Sequence, residues 1–403
     1  MTDRDERGRG VADLLPDLDI PKAKRYSRTQ LVMLLASTIW SVVRLVTFAV
    51  SGRSGRLRRA LDRALPNRQA GALAYLTLTT AFSWLSALPV AYVTGHRVER
   101  QFGLTKQTTG GWFRDQVKGL GLAAAIQVPL TAGVFAVIRR RPRDWWAIAA
   151  GVAVPLSIVA STLVPVLILP IFNRFEPLRD RDLAERIKRL AERAGVPIAD
   201  VYQMDMSRQS EKPNAFFTGL GRSKRIVLGD TLIDRFEPAE IEGVVAHELG
   251  HQIHGDIWKM IAFSGTVGAA AAWMLSRIAP PLVRRTARRT GVERLGDEAS
   301  LPVLSLCLVL LGFLLAPLQG AFSRAIERRT DRFALELTGD GDAYAAAMAR
   351  LAAASLADPD PSPPVVFFLY SHPPIAERVA TARAFAMGSS AKARGAIDGA
   401  TMR

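Results

Sequence analysis

Six apolar stretches, each close to the roughly 20 residues a helix needs to cross a bilayer, constrain this chain more than any other feature. They run approximately from Leu31 to Val50, Ala72 to Thr94, Gly119 to Ile138, Trp145 to Leu169, Ile257 to Pro280 and Leu301 to Leu318. Hydrocarbon offers backbone N–H and C=O groups no partner, so each stretch is expected as a helix and the whole as a polytopic bundle. The intervening segments are very polar: 22% of the residues are charged beside 49% hydrophobic, which leaves the mean hydropathy at only +0.13. The first stretch is the weakest, because Arg44 interrupts it. Pro89, Pro129, Pro155, Pro165 and Pro317 fall inside or near the segments and predict bends. No apolar core occurs early enough for a cleaved signal peptide, so the first stretch is expected to stay as an anchor.

The net charge of +16 raises the question of nucleic acid. The basic residues are spread over nearly every loop rather than gathered in one patch, which fits anionic lipid headgroups and not a nucleic-acid partner. An even number of spans puts both termini on one side. Loop charge does not choose that side, because Arg56, Arg58, Arg59 and Arg63 lie on one face and Arg97, Arg100, Lys106 and Arg114 on the other. Cys307 is the only cysteine and sits in the sixth apolar stretch, which excludes an internal disulfide and cysteine catalysis.

Between the fourth and fifth stretches lies a polar insertion with mixed periodicity. Arg181 to Ala194 reads as an amphipathic helix, and strand-like runs follow at Asp200 to Met204, Ala215 to Gly219 and Arg225 to Leu228. The insertion ends on Val244 to Asp256, VVAHELGHQIHGD. Pro238 suits a first helical turn, Glu240 and Glu242 favour its positive end, and Ile241, Val244 and Val245 supply an apolar side. On this helix His247 and His251, four apart, direct two imidazoles at one ion. Glu248 follows the first of them and can reach a water without ligating, as a metallopeptidase base must. His254 shares the face but lies about 10 Å along the axis from His247, too far for a common ion. A third His ten residues after the first is absent: that position is Ile257. A carboxylate from elsewhere must complete the site. Phe322 to Leu337 offers Glu327 and Asp331, four apart, either as ligand and as acceptor for a ligand imidazole, or as an ordinary solvated Glu/Arg helix.

HELGH followed after two apolar segments by the E-x-x-x-D helix resembles the integral-membrane zinc metallopeptidases of the type I CAAX prenyl endopeptidase family. Three further stretches match in order: ERQFGLTKQTTGGWFRDQVK from Glu99, NAFFTGLGRSKRIVLGDTL from Asn214 and YSHPPIAERV from Tyr370. The resemblance covers roughly residues 70 to 386 and implies one Zn2+ per chain on His247, His251 and Glu327. It assigns Asn214 and Ala215 to a strand that holds extended substrate, His372 to the oxyanion, and Arg378 to anchoring substrate or site. It also implies a catalytic part facing the cytoplasm. Eukaryotic members have seven spans, against the six read here.

The expected fold is mainly α, a polytopic bundle with an inserted soluble α+β zincin-like catalytic domain. The chain divides into a polar tail (1–30), four spans (31–170), a soluble part with the HExxH helix (171–256), two spans (257–320), the remaining catalytic part (321–387) and a disordered tail (388–403). The expected activity is membrane-embedded, zinc-dependent endopeptidase cleavage of peptides or proteins. Arg outnumbers Lys and Ala is abundant, which suggests a GC-rich bacterial gene, a plasma-membrane location and a membrane or misfolded substrate rather than a prenylated one. The alternative is a non-catalytic membrane chamber, scaffold or chaperone.

Overall fold

A computed structural model describes residues 13–219 and 224–401, with side chains to 389. The polar start of the tail, part of the stretch from Asn214, and the final two residues lie outside them. Among the described residues, six helices are long and apolar enough to cross a membrane. The first four are α1 (Ile20–Val50), α2 (Arg68–Tyr92), α3 (Thr109–Arg140) and α4 (Trp145–Leu163). α2 and α4 continue through wider π-helical turns at Val93–Val98 and Val164–Ile168. The expected tail gives way to α1 at Ile20, because the Asp19 carboxylate accepts the Lys22 N–H and Pro21 occupies the first turn. Outward side chains on the spans are apolar, as with Ile39, Leu85, Leu310 and Leu314, each more than half exposed. That is the surface an integral membrane protein presents to lipid.

The polar insertion between the fourth and fifth spans follows. Strands β1 (Phe175–Pro177), β2 (Asp200–Met204), β3 (Ala215–Thr218) and β4 (Arg225–Gly229) form a sheet of order β1-β2-β4-β3. β2 and β4 pair in parallel, and β1 and β3 add antiparallel at the two edges. Helix α5 (Arg181–Arg193) joins β1 to β2, and α6 (Pro238–Ile253) follows the sheet. Val201, Ile226 and Leu228 from the sheet share one buried core with Ile187 and Leu190 of α5 and Ile241, Val245 and Leu249 of α6.

The fifth and sixth spans come next as α7 (Asp256–Thr290) and α8 (Leu301–Thr338). α8 does not end with its apolar part but runs on unbroken to carry Glu327 and Asp331 against α6. α9 (Gly341–Ser355) packs on α6 and on the last helix, α10 (Ile375–Thr401), which takes in part of the stretch expected as tail. A second core, built from Tyr75, Phe135, Trp145, Leu275 and Leu304, lies within the bundle.

Candidate metal centre

Helix α6 opens with a capping box: the Glu237 and Glu240 side chains each accept a backbone N–H, and Pro238 follows the cap. Buried Glu240 also accepts from Arg350 of α9 at 2.9 Å, which ties the helix start to its neighbour. With the helix fixed, His247 and His251 stand on one face, their rings 4.8 Å apart and edge to face. α8 crosses that helix at Gly250, where an added Cβ would meet Thr330 Cγ2 and Phe333 Cδ1 at 2.9 Å. This close crossing brings Glu327 to the histidines. Its Oε2 lies 3.2 Å from His247 Nε2 and its Oε1 3.6 Å from His251 Nε2.

Both imidazoles are oriented by carboxylates on their other nitrogen. His247 Nδ1 is 2.9 Å from Asp331 Oδ1, and Asp331 in turn accepts from Tyr344 at 2.6 Å and from Arg378 at 2.6 and 2.9 Å. His251 Nδ1 is 3.0 Å from Asp256 Oδ2, and Arg329 holds the other oxygen of Asp256. With the Nδ1 protons so committed, each Nε2 presents a lone pair to the space shared with Glu327. Glu327 Oε2 is buried and makes no hydrogen bond, although His247 Nε2 stands 3.2 Å away; with no cation between them, and against the effect of burial, Asp331 and Glu327 push the His247 imidazole up to about 9. Three potential donor groups converging within 4.8 Å, with one carboxylate oxygen unpartnered, fit a divalent cation.

The structure distributes the other expected residues as follows. Glu248 is half-buried beside the ligands; burial pushes its carboxyl above the ordinary glutamate value against the pull of His247 and His251. His372, in the extended loop before two prolines, puts Nε2 3.5 Å from Glu327 Oε1 while Ser371 bonds its Nδ1 at 2.9 Å. Ala215 begins edge strand β3, which lies against α6, and the Asn214 carbonyl accepts the Gly229 N–H. Arg378 sits with its guanidinium buried on Asp331, on the site-anchoring side of the two roles expected for it. His254 stands apart, its ring edge-on to Phe333 at the end of α6.

Sequence reasoning gave no role to Asp256, Tyr344 or Arg350. Asp256 had a signal: Gly255 adopts φ +61°, a left-handed turn that swings the next residue back toward the face just left. Tyr344, on an Ala-rich helix 97 positions from His247, had none.

A helical membrane bundle whose fifth span is preceded by an HExxH helix and whose sixth runs on into a converging carboxylate defines a membrane-embedded metal-dependent endopeptidase. The chain belongs to peptidase family M48, whose model matches residues 177–386. A second model, the CAAX prenyl protease N-terminal region with five membrane helices, matches residues 5–174, where four span-length helices occur among the described residues. CAAX prenyl protease 1 of Saccharomyces cerevisiae is 30% identical over 92% of this chain and 86% of its own. An uncharacterized metalloprotease of Bacillus subtilis, YhfN, is 29% identical over 91% and 86%. The crystal structure of S. mikatae Ste24p superposes with a TM-score of 0.80 at 28% identity, covering 90% of this chain and 88% of that one. These likenesses weigh against the non-catalytic scaffold.

Proposed function

We propose that the metal is zinc, one ion per chain, held by His247, His251 and Glu327. The observation that carries this is the convergence of two carboxylate-oriented imidazoles, through Nε2, on the Glu327 carboxylate, whose Oε2 is unpartnered. Zinc held there would supply Lewis acidity, lowering the pKa of water and polarising a carbonyl. The protein's own groups do the rest. The Glu248 carboxylate takes a proton from the attacking water and passes it to the leaving amine nitrogen. His372 Nε2 donates to the oxygen on which charge develops. Ala215, at the free edge of β3, pairs with the main chain of an extended substrate, a mode of holding that ignores side-chain identity, and Asn214, anchored to Gly229 through its carbonyl, leads into that substrate-holding strand. Asp331 keeps His247 in the tautomer described, and Arg378 keeps Asp331 in place.

The protein sits in a bacterial plasma membrane with this site facing the cytoplasm, and its substrates are membrane or misfolded proteins rather than prenylated peptides. The Bacillus relative and the Arg- and Ala-rich composition support that reading. The test uses detergent-purified protein against a panel of unmodified and farnesylated peptides, with zinc content measured in parallel. Wild type cleaves the unmodified peptides. Glu248→Gln keeps its zinc and loses about 100- to 10,000-fold in rate, whereas Glu327→Ala loses the metal. Normal cleavage by Glu248→Gln would sink the assignment, and a preference for farnesylated peptides would sink the substrate class.

A further inference from the structure

The residues that lead into the edge strand are not held by the catalytic unit alone. Lys212, two positions before Asn214, extends its ammonium to Glu99 Oε2 at 2.9 Å and to the Tyr26 hydroxyl at 2.9 Å. Tyr26 itself donates to Glu99, and Gln30 donates to the same carboxylate at 2.7 Å. Tyr26 and Gln30 belong to α1, and Glu99 closes the helix that continues α2. Just upstream, the Glu211 N–H donates to the Leu104 carbonyl at 2.9 Å. The Gln209 side chain reaches Asp115 of α3 at 3.1 Å. The first three membrane helices therefore grip one short segment, and the ERQFGLTKQTT motif, which the reaction does not use, supplies much of the grip.

We propose that Lys212, clamped by Glu99 and Tyr26, is a positioning residue that fixes the substrate strand relative to the metal ligands, so that the membrane helices set the affinity for extended peptide. This rests on the reading of Asn214 and Ala215 as the strand that pairs with substrate. β3 is bonded to the sheet on one side only, through β4. Its placement at the cleft then depends on what holds its leading end. Glu99 is 14% and Lys212 35% exposed, and the buried Tyr26 hydroxyl holds both, so the pair is partly sheltered from the screening that makes surface pairs weak.

The experiment compares wild type, Lys212→Met and Glu99→Gln as full-length protein in detergent, using one quenched, unmodified peptide that wild type cleaves. KM and kcat, zinc content, and the Kd of the same peptide for zinc-loaded Glu248→Gln carrying each change are measured. Lys212→Met is expected to raise KM and Kd about tenfold, the weight of a charged hydrogen bond, with kcat and zinc content unchanged. Glu99→Gln moves both constants the same way by less. Because wild-type cleavage and its loss in Glu248→Gln establish the site separately, the clamp stands or falls by itself. Unchanged KM and Kd overturn it, as does loss of zinc or of kcat, which a merely structural role would produce. If Lys212→Met does not fold, Glu99→Gln decides by the same criteria.

Discussion

Asp331 is the residue on which the site's geometry turns. It faces His247, Tyr344 and Arg378 at once, and only the first of these contacts concerns the metal directly. Asp331→Ala frees the imidazole to rotate and leaves the Arg378 guanidinium buried without its carboxylate. Zinc affinity is expected to fall about 10- to 100-fold, with a stability loss of about 3–5 kcal/mol for the stranded charge. Zinc titration and thermal unfolding read the two effects. Asp331→Asn, which retains an acceptor oxygen, recovers part of the affinity but little of the stability. The E-x-x-x-D spacing made this pair legible as residues sharing a helix face. What spacing could not distinguish was a ligand from a solvated glutamate; that depends on α8 meeting α6, a close approach of Gly250 to Thr330 and Phe333 that is invisible to local pattern.

At the level of elements, Gly250 decides how closely those two helices cross. Helix propensity alone favours alanine there by up to about 1 kcal/mol. A Cβ at 2.9 Å from two side chains of α8 reverses the sign. Gly250→Val is expected to destabilise by about 1–3 kcal/mol and to weaken zinc binding by moving Glu327 off the histidine face, measurable as a lower unfolding temperature and a shifted zinc titration. Gly250→Ala should lie between. The secondary structure of this region was largely readable. The amphipathic period gave Arg181 to Ala194 against an observed Arg181–Arg193, and alternation gave the strands Asp200–Met204, Ala215–Thr218 and Arg225–Gly229 to within a residue. Edge strand β1 was missed, because Phe175–Pro177 is three residues long and exists only by pairing with β2.

Across the whole molecule, the catalytic end has a counterpart about 40 Å away along α8. There Glu298, 1% exposed, receives Arg58 from the helix at Arg53–Ala64 and Arg139 from the end of α3, while the Ser54 hydroxyl donates to the Ala299 carbonyl at 2.6 Å. Glu298→Ala removes a carboxylate from Arg58, which keeps Asp62, and from Arg139, which is partly exposed, and is expected to cost about 1–3 kcal/mol. Zinc content and KM of the folded fraction should be unchanged, and equilibrium unfolding with a zinc assay on the same samples checks both. Nothing in the sequence ties Arg58 to Glu298, which lie 240 positions apart. Hydropathy reports which helices enter the bilayer and leaves their neighbours unspecified. At the other end, His251 stands just before the fifth span and Glu327 on the continuation of the sixth, with one short turn at Gly255 between α6 and α7. An ion shared by these residues is a cross-link: it ties the helix leading into the fifth span to the continuation of the sixth. Stripping it with a chelator should therefore lower the melting temperature of the embedded bundle itself as well as silence the peptidase, and adding zinc back should restore both.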